Sequence, residues 1–96
     1  MDKLHTKEVD ELFEAVLSLE SVEECYKFFE DVCTIKEILD IAQRLKAAKM
    51  LNDGKNYLEV CKETGMSSAT ISRVSRCLEY GAGGYELAIS RTKKEK

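Results

Sequence analysis

Asn56 to Tyr80, NYLEVCKETGMSSATISRVSRCLEY, contains two short helical patterns joined at Gly65. Upstream, Asn56 supplies a capping oxygen for a helix in which Val60 faces inward. Cys61 is a small side chain where two helices must approach closely. Gly65 provides the left-handed backbone conformation of a turn, Met66 an apolar plug beneath it, and Ser67 the cap of the next helix. In that helix Ile71, Val74 and Leu78 recur at i, i+3 and i+7 on one side. Ala69, Ser72, Arg73 and Arg76 fall within an arc of about 100° opposite. One side packs and the other meets a partner.

This spacing predicts a helix-turn-helix over residues 56–80, whose second helix enters a DNA major groove. Small side chains at Ser68, Ala69 and Ser72 allow the backbone to come close to base edges, with Ser67 and Thr70 alongside them at the helix start. Arg73 and Arg76 are placed for phosphates or a guanine edge, and Lys62 and Lys55 flank them in sequence. An ordinary pair of core-packing helices with a solvated outer face is the competing reading of the same periodicity.

Outward from this stretch the chain is helical in pattern, and the expected class is all-α. Val9, Leu12, Phe13, Val16 and Leu17 make an apolar stripe on a first helix. Ser21 and Glu24 form a capping-box pattern for a second, with Val22, Cys25, Tyr26, Phe29, Val32 and Cys33 inward and Phe28 with Phe29 in the core. Thr34 and Glu37 repeat the pattern ahead of a long helix from Ile35 to Asn52, which Gly54 stops. That helix is apolar on more than one side, through Ile35, Ile38, Ala42 and Leu45 and through Leu39, Ile41, Ala48 and Leu51. A small chain with such a helix favours an intertwined dimer over a lone bundle. Downstream, Gly81 ends the recognition helix, and Tyr85, Leu87, Ala88 and Ile89 belong to a last short helix. Gly81 to Tyr85 lacks the ending of a phosphate-binding loop. Arg91 to Lys96 reads as a disordered, solvated end.

The chain has 96 residues, 44% hydrophobic and 34% charged, which fits one domain and excludes a membrane-spanning helix. Its start, MDKLHTKEVDELFEAV, lacks the basic and apolar pattern of a secretory signal, so the expected compartment is the cytoplasm. Net charge is −3, but residues 1–40 hold 12 acidic and 4 basic side chains and residues 41–96 hold 6 and 11, a balance of −8 against +5. The acidic average thus does not exclude DNA binding by the second half, since it is decided by the charge of the contacting face. Cys25, Cys33, Cys61 and Cys77 lack metal-ligand spacing and read as small hydrophobes on helix faces. His5 is the sole histidine, and no nucleophile–base or paired-carboxylate constellation is evident, so no catalytic or metal-binding residue is expected.

From Thr34 to Tyr85 the chain resembles the Trp repressor superfamily, and within it the TrpR-related YerC/YecD family, in AQRLKAAKML, DGKNYLEV, TGMSSATISRVSRCL and YGAGGY. The resemblance implies an all-helical homodimer, residues 6–53 and 85–91 forming the dimerisation helices around the helix-turn-helix heads. It implies a transcription regulator, acting as a repressor on an inverted-repeat operator in double-stranded DNA, with Ser68, Ala69 and Ser72 in base-reading slots. It also places Thr34, Arg44 and Arg73 at an effector pocket, where tryptophan repressors hold an indole between two arginines. Val74 and Cys77 replace a glycine and a serine of those repressors, so the effector implied is a small molecule other than tryptophan. For Arg44 a surface ion pair with Asp40 at i−4 is the alternative role. The alternatives for the whole chain are a helical protein-interaction module that has lost its DNA contacts, using its acidic first half, and a ligand-responsive regulator. No cofactor is required by either.

Overall fold

The computed structural model describes residues 3–93, and among these every regular element is a helix. In chain order they are α1 (Lys7–Leu17), α2 (Val22–Val32), α3 (Ile35–Asn52), α4 (Tyr57–Thr64), α5 (Ser68–Tyr80) and α6 (Gly84–Thr92). Short polar side chains start five of them. The Thr6, Ser21 and Ser67 hydroxyls accept the N–H groups of Val9, Glu24 and Thr70. At α3 and α4 the capping boxes are complete: Thr34 and Glu37 bond each other's backbone N–H at 3.1 and 2.8 Å, and Asn56 and Glu59 do so at 2.9 and 3.1 Å. The α2 box differs from the expected form, because the Glu24 carboxylate accepts from Glu20 N–H at 2.8 Å, one residue before the cap.

The chain divides into two compact units, one up to Ile38 and one from Leu39 onward. In the first, α1 and α2 are amphipathic, yet neither contains a buried residue. Phe13 and Leu17 are 55% and 83% exposed, and Val22, Tyr26 and Val32 are also exposed. The stripes expected to face a core are therefore covered only in part, through half-buried Val16, Cys25 and Phe29. Phe28 and Phe29 are half-buried, their rings edge to face with centroids 5.3 Å apart.

The second unit holds the core. Ala47 and Ala48 of α3, Val60 of α4, Ile71 and Val74 of α5 and Ile89 of α6 form one buried cluster. Leu45, Met50, Leu51, Cys61, Met66, Leu78 and Tyr85 pack around it half-buried. Cys61 lies on the margin of the core, and the sealed small residues are instead Ala47 and Ala48, at 0% exposure. Cys77 is exposed, contrary to the apolar role expected of it. Leu87 and Ala88, expected to pack, are exposed too, whereas Ile89 is buried. Arg91 and Thr92 continue α6 where a loose end was expected, and Lys94 to Lys96 lie outside the described residues. None of the described helices is long and apolar enough to cross a membrane.

Ile71 is fully enclosed, so Ile71→Ala leaves a void as well as removing apolar contact. We expect a loss of about 2 to 4 kcal/mol in urea unfolding followed by circular dichroism. Arg73→Ala, two residues further on and on the exposed side, should leave the midpoint unchanged.

Candidate nucleic-acid interface

The geometry of α4, the turn and α5 follows from a few local bonds. Gly65 ends α4 with φ of 72°, its N–H donating to Cys61 O at 2.8 Å. A side chain at this backbone angle is strained, which is why glycine occupies it. Thr64 then ties the turn to the helix it follows: its hydroxyl donates to Val60 O at 2.6 Å and accepts Met66 N–H at 3.2 Å. Thr64 was not singled out by spacing. Its signal in the sequence is a hydroxyl residue immediately ahead of the turn glycine, able to bond backward and forward at once.

Ser67 opens α5, its Oγ accepting Thr70 N–H at 3.2 Å and lying 3.0 Å from Thr70 Oγ1. Of the residues expected to meet a nucleic acid, these two hydroxyls are thus already engaged in starting the helix. Ser68, Ala69, Arg73 and Arg76 are exposed, and Ser72 is half-buried. On the other side of the same helix Ile71 and Val74 are 0% and 2% exposed. The helix therefore has one sealed side and one bare side carrying small and cationic residues. Lys62 is exposed on α4, which packs against α5. At the far end Gly81 N–H donates to Cys77 O at 2.9 Å, and a Cβ on Gly81 would collide with that carbonyl group. Gly83, with φ of 89°, begins α6.

Of the residues of the expected effector site, two lie in the second unit and one in the first. Arg44 is exposed on α3 and Arg73 on α5, both in the second unit. Thr34 belongs to the first unit, where its hydroxyl caps α3 by accepting Glu37 N–H. Val74 is committed to the core, which fills space beside Arg73 that a glycine would leave open. Cys77, the second departure, is exposed on the following turn of α5 and lines a shallow hollow with Gly81 to Tyr85 and Ala88.

The sealed recognition-type helix, its short partner and the preceding long helix are the head of a Trp repressor-like protein. The chain belongs to the Trp repressor protein family, whose model matches residues 7–93. It is similar to the uncharacterized protein YerC of Bacillus subtilis (strain 168), with 55% identity over 94 residues, covering 98% of this chain and 90% of that one. Among solved structures it is similar to a TrpR-like protein from Eubacterium eligens ATCC 27750, at 52% identity and a TM-score of 0.91 over 98% of both chains. A candidate Trp repressor from Staphylococcus aureus matches at 47% identity and a TM-score of 0.91, over 98% of this chain and 94% of that one. The resemblance in sequence and the all-helical class are thereby established.

Thr64→Val keeps the shape of the side chain and removes both hydroxyl bonds at the turn. The Met66 N–H then loses its side-chain acceptor. A cost of about 1 to 2 kcal/mol is expected in thermal unfolding, and Thr64→Ser should recover most of it.

Proposed function

We propose that this protein is a sequence-specific DNA-binding transcriptional regulator that acts as a homodimer, repressing by occupying its operator. The reading rests chiefly on α5: Ala69, Arg73 and Arg76 are exposed while Ile71 and Val74 are sealed behind them. A major groove admits a helix whose outer residues are small enough for close approach. Ser68, Ala69 and Ser72 fill those positions, Arg73 and Arg76 supply charge toward phosphate or guanine, and Lys62 contacts the backbone from α4. Ser67 and Thr70 keep the helix start rigid, and their hydroxyls face phosphate once that bonding is satisfied. Membership of the Trp repressor family supports the same function.

The uncovered side chains of the first unit support the dimer. Leu12, Phe13, Leu17, Val22, Tyr26, Val32 and Ile35 are all exposed in the single chain. Apolar surface of that extent calls for a partner surface, and a second copy brings a matching set. Two heads related by a two-fold axis then read an inverted repeat with half-sites about 34 Å apart. Residues 6–53 and 85–91 supply the dimerisation helices, and the protein works in the cytoplasm without catalysing a reaction. Any effector held by Thr34, Arg44 and Arg73 is a small molecule other than tryptophan, because the Val74 side chain occupies the core beside Arg73.

Sedimentation equilibrium should return twice the chain mass. Duplexes selected from a random pool should contain inverted repeats and bind most tightly at ~50 mM salt, where phosphate contacts are strongest. Arg73→Ala and Arg76→Ala should each weaken binding by about tenfold or more, consistent with loss of roughly 1 to 3 kcal/mol per contact. Absence of any duplex binding at the lower salt would refute the function.

A further inference from the structure

The outer side of α5 is thinly charged for its proposed partner. Its exposed cations are Arg73 and Arg76, and the whole chain carries a net charge of −3. A duplex carries one phosphate charge per about 1.7 Å of axis, and affinity at physiological salt grows with the number of phosphates neutralised. Further cations arranged along the same backbone would therefore contribute directly to affinity.

One cleft in the second unit offers them. It has a volume of about 520 Å³ and is lined by Lys46, Met50, Lys55, Glu59, Lys62 and Glu63. Each lysine comes from a different place: Lys46 from α3, Lys55 from the connection that follows it, and Lys62 from α4. All three are exposed, and half-buried Met50 ties the cleft to the core. The carboxylate of Glu59 is turned to the backbone, accepting Asn56 N–H at 3.1 Å in the capping box, next to the positive end of α4. Glu63, on the next turn, is the other opposing charge. Because α4 both lines the cleft and packs on α5, the cleft and the recognition helix form one body.

We propose that this cleft seats the sugar–phosphate backbone of the duplex that α5 enters, with Lys46, Lys55 and Lys62 each pairing with a phosphate. The proposal rests on the DNA-binding reading and extends it to a face of α3 outside the helix-turn-helix. These contacts set affinity and register without choosing sequence.

The test uses a selected duplex, full-length protein and binding measured by fluorescence anisotropy from 50 to 200 mM salt. In a dimer each lysine occurs twice, and each phosphate contact contributes about 0.9 to the logarithmic salt slope. Lys46→Ala with Lys55→Ala should lower the slope by roughly three to four units, so that wild type loses about 100-fold more affinity than the variant across this range. Lys46→Arg with Lys55→Arg should restore the slope, and the order of preference among duplexes should not change in either variant. Thermal unfolding of each variant controls for folding. An unchanged slope in the alanine variant, with wild type still binding, overturns the proposal while leaving the DNA-binding reading intact. An unchanged slope combined with loss of the inorganic pyrophosphate binding seen with wild type marks the cleft as a small-anion site and equally overturns the proposal. Failure of wild type to bind duplex at 50 mM salt sinks both readings at once.

Discussion

The enclosure of the inner side of α5, in one buried cluster with residues of α3, α4 and α6, is the constraint on which the second unit depends. Ile71 and Val74 are branched and stiff, and they can be enclosed only if the facing wall leaves room. Ala47 and Ala48, sealed in the same cluster, take up little volume, with no side-chain entropy to lose and no polar atom to satisfy. Val60 and Ile89 close the remaining sides from α4 and α6. The cluster is short of large residues, so each contact counts for much of the total. Its result is geometric: the orientation of α5 about its own axis is fixed, and with it the direction in which Arg73 and Arg76 are presented.

The first unit has the complementary property. Its helices are capped in the same manner, by Thr6 and Ser21, so local signals suffice to start them. Their apolar stripes, however, bury nothing completely. Helices of this length are marginal in water without a packed face. Dimerisation as proposed would supply that face, and would make the folding of these helices a matter of assembly rather than of the chain alone.

Where the signals were local, they were legible in the sequence. Asn56, Ser67 and Thr34 announce helix starts because a short polar side chain finds the N–H three residues on; Gly65 and Gly81 mark helix ends through turn geometry and close approach to a carbonyl. The inward line of Ile71 and Val74 is equally clear, since small and cationic residues occupy the opposite side of that helix. Periodicity says which residues share a face but not what covers it. That is why Leu17 and Val22 are expected inside and lie outside, and why the full burial of Ala47 is not legible from its spacing. The family and its all-helical fold were carried by longer motifs. In the candidate site, the exposed side of α5 was legible from angular spacing, whereas the bridging role of Thr64 and the convergence of Lys46 with Lys62 depend on how the backbone turns between helices.

The two sides of α5 also separate what heredity can alter from what it must retain. Ala69, Arg73 and Arg76 are exposed and lie outside the sealed cluster, so exchanging them costs the scaffold little, while Ile71 and Val74 tolerate little. A duplicated copy of this chain could drift at the outer positions alone and acquire a new preference without passing through an unfolded ancestor.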